Sequence, residues 1–228
     1  MPDLSILMPA YNERATIEPA IDRLLETELP VDSFELIVVD DGSTDGTSEI
    51  LQQRDAPPMR LLRHDRNRGK GTAIRTALAE AGGTYTTILD ADLEYDPADL
   101  SNLLEPLLSG RATAVFGTRA FEAHSAYGFW YVIGNKTVTL AANVLYNSWL
   151  SDIMNCWKTM PTDLLRSLEL REPGFGIEPE ITARLLRSGT RIFEVPVTYQ
   201  ARSREEGKKL RAVDGGRVLR TLLRCRFD

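Results

Sequence analysis

The sequence predicts an α/β fold whose mostly parallel sheet is flanked by helices. In the first half, short apolar runs alternate with segments of helical period, and consecutive strands joined through helices pair in parallel with right-handed crossovers. Three of those runs end in polar, mostly acidic turn clusters. Of 228 residues, 43% are apolar, enough for a core and too many for global disorder. The length fits one large domain at roughly 100–200 residues per domain, and no internal repeat interrupts it.

Taken in order, Leu4–Met8 is short and apolar and reads as a strand. Ile17, Ile21, Leu24 and Leu25 recur at helical spacing, giving an amphipathic helix over 15–28. Phe34–Val39 is a strand ending at Asp40-Asp41-Gly42-Ser43, after which Thr44 or Asp45 can cap a helix through Leu51. Met59–Leu62 is a third strand. Residues 70–81 form an Ala-rich helix entered through Gly69 and Gly71. Tyr85–Leu89 is a fourth strand, a helix follows Pro97, and Ala114–Phe116 is a fifth strand. Farther on, 129–149 and 177–187 read as helices, Arg191–Val197 as a strand and 200–216 as a polar loop. From 213 onward Val218, Leu219, Leu222 and Leu223 form a stripe flanked by Arg217, Arg220 and Arg224, an amphipathic basic helix.

Composition narrows the function. The most apolar stretch, Tyr127–Leu150, contains Lys136 and three Asn and falls short of the ~18 uninterrupted apolar residues of a membrane span. The N-terminus shows no secretory signal pattern. Two cysteines are too few for a disulfide framework and fit a reducing cytosol. With only His64 and His124, histidine-built metal sites and Ser-His triads are disfavoured. Residues 202–228 carry nine Lys or Arg and four Asp or Glu, a balance of +5, against −11 for the first 201 residues. An acidic body with a basic tail argues against nucleic acid and leaves room for a local anionic partner.

In an open parallel sheet, ligands bind beyond the carboxyl ends of the strands. Pro9, Ala10, Tyr11, Asn12 and Glu13 follow the first strand, Asp40 to Ser43 the second, and Asp90 and Asp92 the fourth. Any one of these loops is ordinary turn chemistry; three on one rim point to a site. Asp90-Ala91-Asp92 places two carboxylates on one side of an extended segment, hard oxygen ligands suited to Mg²⁺ or Mn²⁺. Gly69-Lys70-Gly71 opens a helix, where a basic residue suits an anion or simply a tight helix entry. Arg202, Lys208 and Lys209 surround Gly207 in a polar loop, suited to phosphate or simply solvated.

The ordered set Met8-Pro9-Ala10-Tyr11-Asn12-Glu13, Val38 to Thr47, Asn67-Arg68-Gly69-Lys70-Gly71 and Asp90-Ala91-Asp92 resembles glycosyltransferase family two. The resemblance continues through Gly117-Thr118-Arg119, Asp152 to Lys158, Phe175 to Ile181 and Arg202 to Lys209. Within the family it is similar to the dolichol- and polyprenyl-phosphate hexose synthases. It implies an A-type glycosyltransferase fold, a UDP-, GDP- or dTDP-sugar donor, and Mg²⁺ or Mn²⁺. Residues 1–210 would be one domain, with 1–118 the nucleotide-sugar half and 119–210 the acceptor half, followed by a basic helix over 211–228.

Residue by residue, the resemblance implies that Pro9, Tyr11 and Glu13 line the nucleoside pocket and that Asp40 and Asp41 hold base or ribose. Lys70 would lie near the donor, with Asp90, Ala91 and Asp92 at the sugar and metal. Arg119 would face a phosphate, with Lys136 and Glu178 on the acceptor side. Arg202 and Lys208 or Lys209 would close over the diphosphate. Glu94 stands where the polyprenyl synthases often have Gln, and Tyr131, Asn135 and Lys136 where they often carry an Arg and a Ser. The expected reaction is inverting transfer of a hexose to a polyprenyl phosphate, or alternatively to a hydroxyl, for which Asp152 or Glu178 would take the proton. The expected place is the cytoplasm or the cytoplasmic face of a membrane, with the basic helix packed on the domain or on lipid and with room for a homodimer.

Overall fold

Seven strands form one sheet in the order β3-β2-β1-β4-β6-β5-β7: β1 (Leu4–Ala10), β2 (Phe34–Asp40), β3 (Met59–Arg63), β4 (Tyr85–Ile88), β5 (Ala114–Thr118), β6 (Lys158–Pro161) and β7 (Ile192–Pro196). This computed structural model describes residues 2–119, 129–201 and 212–228, without the side chains at 130, 131 and 212–214. The helices are α1 (Ile17–Glu26), α2 (Thr47–Gln53), α3 (Lys70–Glu80), α4 (Leu100–Leu108), α5 (Phe129–Tyr146), α6 (Thr162–Ser167), α7 (Ile177–Arg187) and α8 (Ala212–Phe227).

β1 pairs in parallel with β2 and β4, β2 with β3, and β5 with β7. Among the described residues β6 is the one strand of the sheet that runs the other way, antiparallel to both β4 and β5. Two reversals cancel, so the carboxyl ends of β1, β2, β4 and β5 share one edge. Connections from β1 run outward to β2 and β3, whereas β4 lies on the other side of β1. The crevice beyond β1 and β4 is therefore the topological switch point, where open α/β sheets bind ligands.

Alternation along the strands divides the core. Leu4, Ile6, Met8, Leu36 and Val38 face a cluster with α1 and α4, while Leu7, Ile37 and Val39 face Ala73, Ile74, Ile177 and Ile181 of α3 and α7. A third cluster joins α5, α7 and α8 through Val138, Ala142, Ala183, Val218 and Leu222. The stripe expected on the last helix is thus split: Val218 and Leu222 pack inward, and Leu219 and Leu223 are exposed.

Four local expectations are corrected. The residue before α2 is Gly46, at φ 101°, rather than Thr44 or Asp45; Asp45 instead accepts the Thr47 amide at 3.0 Å. The helix expected over 129–149 ends at Tyr146, because Asn147 is left-handed at φ 47°. The loop expected over 200–216 gives way to α8 from Ala212, which runs through Gly215 and Gly216. β6 and α6 were not expected.

Candidate active site

The first two rim loops are stitched together by short polar side chains. Asn12, left-handed at φ 50°, donates its amide to Ser43 Oγ at 2.9 Å and accepts from the Thr44 amide at 2.8 Å. The Glu13 amide donates to Thr47 Oγ1 at 2.9 Å, and the Glu13 carboxylate accepts Thr16 Oγ1 at 2.8 Å. Pro9 and Tyr11 are half-buried on the rim, and Glu13 is buried.

Asp40 and Asp41 are buried, and the protein itself takes up their carboxylates. Asp40 accepts the Ser43 amide at 2.9 Å and the Ser48 hydroxyl, with Arg63 at 3.6 Å. Asp41 accepts the amides of Arg68 (2.9 Å) and Gly69 (2.7 Å), and His64 Nδ1 lies 2.6 Å away. It therefore pins the turn that delivers Lys70 to the rim.

Lys70 is the hinge of the site. Its Nζ lies 2.8 Å from Asp90 and 2.5 Å from Glu178 Oε1. Burial works to lower the Lys70 pKa, but the charges of Asp90 and Glu178 outweigh it and hold the ammonium well above its usual value. Asp90 and Asp92 are both half-buried, and Asp92 accepts the Glu94 amide at 3.1 Å. Burial, then the negative charge of Asp90 and, more weakly, of Asp92, pushes the buried Cys156 thiol well up, with Lys70 opposing. The loop after β4 is tied to the end of the β7 segment: Tyr199 donates its hydroxyl to Glu94 at 2.6 Å, and the Gln200 amide donates to the Glu94 carbonyl at 2.8 Å.

A second cluster sits at the end of β5. Arg119 Nε and Nη2 donate to the two oxygens of Asp152 at 2.6 and 2.9 Å, and the guanidinium stacks 4.8 Å over the Tyr199 ring. Asn135 Nδ2 adds a bond to Asp152 at 3.2 Å. Burial tends to raise the Asp152 pKa, but Arg119 and Asn135 hold it below the usual carboxylate range. A carboxylate so held is a weak base, and it fixes the orientation of the Arg119 guanidinium. Lys136 is exposed and donates to the Ser151 carbonyl at 3.2 Å. Between the clusters Lys158 is fully buried, 3.8 Å from the Phe116 ring centre, and burial lowers its pKa to about 8 against the pull of Glu178 and Asp152.

The structure thus gathers Lys70, Asp90, Asp92 and Glu178 at the switch point, with Arg119 and Asp152 in the neighbouring cluster. Arg202, Lys208 and Lys209 lie outside the described residues. Lys158 and Glu94 had no assigned role, and their long-range partners leave no local pattern to read. Among the described residues no three His, Cys, Asp or Glu groups stand as a ready metal cage. The half-buried Asp90–Asp92 pair still fits Mg²⁺ or Mn²⁺, which are commonly held by one or two carboxylates plus waters and phosphate oxygens.

Residues 5–168 match the family model for glycosyl transferase family 2. The chain is 28% identical over 221 residues to the glycosyltransferase AglJ of Haloferax volcanii, covering 96% of this chain and 70% of that protein. It is 27% identical to dolichol-phosphate mannosyltransferase of Pyrococcus furiosus, covering 90% of this chain and 58% of that protein. Among solved structures, glucosyl-3-phosphoglycerate synthase from Mycobacterium tuberculosis, in complex with Mn²⁺, UDP and glucosyl-3-phosphoglycerate, superposes with a TM-score of 0.74 at 25% identity, covering 98% of this chain and 80% of that one. The same enzyme with Mg²⁺ and UDP gives 0.73. The fold is the A-type glycosyltransferase fold, and the chain belongs to glycosyl transferase family 2 as a glycosyltransferase.

Proposed function

We propose that the protein transfers a hexose from a nucleotide-diphosphate sugar to a polyprenyl phosphate, with inversion and with a divalent cation. The observation that carries this reading is the Asp90–Asp92 pair at the switch point, with the Lys70 ammonium 2.8 Å from Asp90. Asp90 and Asp92 would hold Mg²⁺ or Mn²⁺, which supplies charge neutralisation on the departing diphosphate when bound. Pro9, Tyr11 and Glu13 form the wall toward the nucleoside, with Asp40 and Asp41 holding the loops beneath it. Lys70 stays protonated at physiological pH and keeps a fixed positive charge beside the leaving group. Arg202 and Lys208 or Lys209 would complete that charge.

A phosphate monoester is mostly dianionic near neutral pH, its second pKa being about 6, so a lipid-phosphate acceptor needs no general base. This agrees with an Asp152 carboxylate committed to Arg119, which then serves the acceptor phosphate. Supporting a lipid acceptor, Phe129, Ile133, Leu140 and Val144 recur along one exposed face of α5, a helix without acidic residues. The exposed Leu219, Leu223 and Phe227 of α8 lie among Arg217, Arg220 and Arg226. Such surfaces suit an anionic membrane interface, although no helix among the described residues is long and apolar enough to cross a membrane.

The solved relatives bound to glucosyl-3-phosphoglycerate favour a second reading, a soluble hydroxyl acceptor. Glu178 would then take the proton on Oε2, which has no hydrogen-bond partner among the described residues, while Oε1 stays paired with Lys70. Thermal shift with Mn²⁺ and UDP-, GDP- or dTDP-sugars identifies the donor, a ligand at a hundred times its Kd stabilising by about 2.7 kcal/mol. Product formation with that donor then compares a polyprenyl phosphate with 3-phosphoglycerate. Turnover of the lipid alone supports the first reading, and turnover of the soluble acid alone replaces it with the second.

A further inference from the structure

Lys70 is held from above as well as from below. The segment 171–176 lies across the start of α3. A Cβ on Gly71 would collide with the Glu172 carbonyl oxygen, and one on Gly69 with that of Pro173, so only glycine admits so close a backbone. The Thr72 amide donates to the Pro173 carbonyl at 3.1 Å, and Arg75 Nη1 donates to the Leu170 carbonyl at 3.2 Å. The same segment leads into α7, whose first turn carries Glu178, the second anchor of Lys70.

What fixes that segment is the C-terminal helix. Glu172 Oε1 accepts from Thr221 Oγ1 at 2.9 Å and from Arg224 Nη2 at 2.7 Å, both on α8. Glu180, fully buried on α7, accepts the amides of Arg171 and Glu172 at 2.9 and 2.7 Å through Oε2. Its other oxygen takes Arg184 at 3.1 Å and Arg224 at 3.5 Å. A continuous chain of contacts therefore runs from α8 through Glu172 to the backbone over Gly71, and on through Lys70 to Asp90.

We propose that Glu172 and Arg224 are positioning residues for the donor site: through them α8 clamps the 171–176 segment that seats Lys70 between Asp90 and Glu178. This rests on the donor reading of the Asp90 site. The clamp gives the C-terminal helix a role in the chemistry.

The test uses the full chain with Mn²⁺ and the donor's nucleoside diphosphate, UDP in the first instance. Affinity is measured by calorimetry, and protection of the Thr72 amide by hydrogen exchange. Glu172→Gln and Arg224→Met are expected to weaken diphosphate binding by about 10-fold, the lower end for a lost partner behind a metal site, and to speed Thr72 exchange. Arg224→Lys should restore most of both. Arg187→Ala supplies the control, because Arg187 Nη1 ties α7 to α8 at the Cys225 carbonyl, 3.1 Å away, without touching the segment. It should lower the melting temperature while leaving affinity and Thr72 protection unchanged.

The proposal is overturned if Glu172→Gln and Arg224→Met bind and exchange like the wild type. It is also overturned if Arg187→Ala weakens binding as much as Arg224→Met, since α8 would then act only through general stability. A wild type that binds no nucleoside diphosphate with Mn²⁺ contradicts the donor reading instead, and the Thr72 exchange rates still decide whether the clamp exists.

Discussion

Asp41, just past the end of β2, gives its carboxylate to two backbone amides and an imidazole, whereas Asp152, beside the end of β5, gives its carboxylate to a guanidinium. The contrast extends outward. Asp40 accepts the Ser43 amide and the Ser48 hydroxyl, with Arg63 at 3.6 Å, and Glu13 accepts the Thr16 hydroxyl. Lys70–Glu178, Arg119–Asp152 and Arg224–Glu172 are ion pairs. The first arrangement is local and fixed by turn geometry, so it holds loops in place. The second joins segments distant in the sequence, so it holds separate parts of the fold together.

That difference is measurable. Breaking a buried ion pair strands a charge and costs about 3–5 kcal/mol, whereas removing a partner from a buried hydrogen bond costs about 1–3 kcal/mol. Arg119→Met, which deprives the buried Asp152 of its guanidinium, should therefore lower unfolding stability more than Ser48→Ala, which removes one donor to Asp40. Denaturant midpoints decide this, and equal losses would erase the distinction.

Lys158 sharpens the same comparison through pH. Its pKa in the folded protein, about 8, lies below the ordinary 10.5, so the unfolded chain binds the proton more tightly. Its contribution to stability is thus least favourable below pH 8 and rises as the pH climbs toward 10.5. The slope is at most about 1.4 kcal/mol per pH unit. The difference in unfolding free energy between wild type and Lys158→Met should shift in the wild type's favour between about pH 8 and 10.5. Parallel profiles would mean that Lys158 is not carrying this proton. The smallest expected effect on stability belongs to the α5 surface. Leu140→Ser with Val144→Ser should change it by about 0.5 kcal/mol or less, yet reduce recovery with anionic vesicles if lipid is the acceptor's setting.

The regular part of the fold was legible because three strands of the first half end in polar turn clusters and the first helix shows a clean apolar period. β6 was not, because Lys158-Thr159-Met160-Pro161 is only four residues long and carries a buried lysine that reads as a surface residue. The start of α8 was hidden by Gly215 and Gly216, whose low helix propensity is overridden by packing of Val218 and Leu222 on α5 and α7. Within the site, Asp90, Asp92 and Lys70 were visible as motifs at strand and helix ends. The pairing of Arg119 with Asp152 spans 33 positions and that of Lys70 with Glu178 more than a hundred, and neither leaves a local signature.

The most direct test of the account is transfer itself. Wild type and Asp92→Asn are compared for movement of labelled hexose from UDP-, GDP- and dTDP-sugars to a polyprenyl phosphate with Mn²⁺. The account predicts lipid-linked product from the wild type with a preferred donor, and a loss of about 10²- to 10³-fold in Asp92→Asn, equivalent to several kcal/mol of charge stabilisation. Product formed equally well by Asp92→Asn, or no product from any donor, would contradict it.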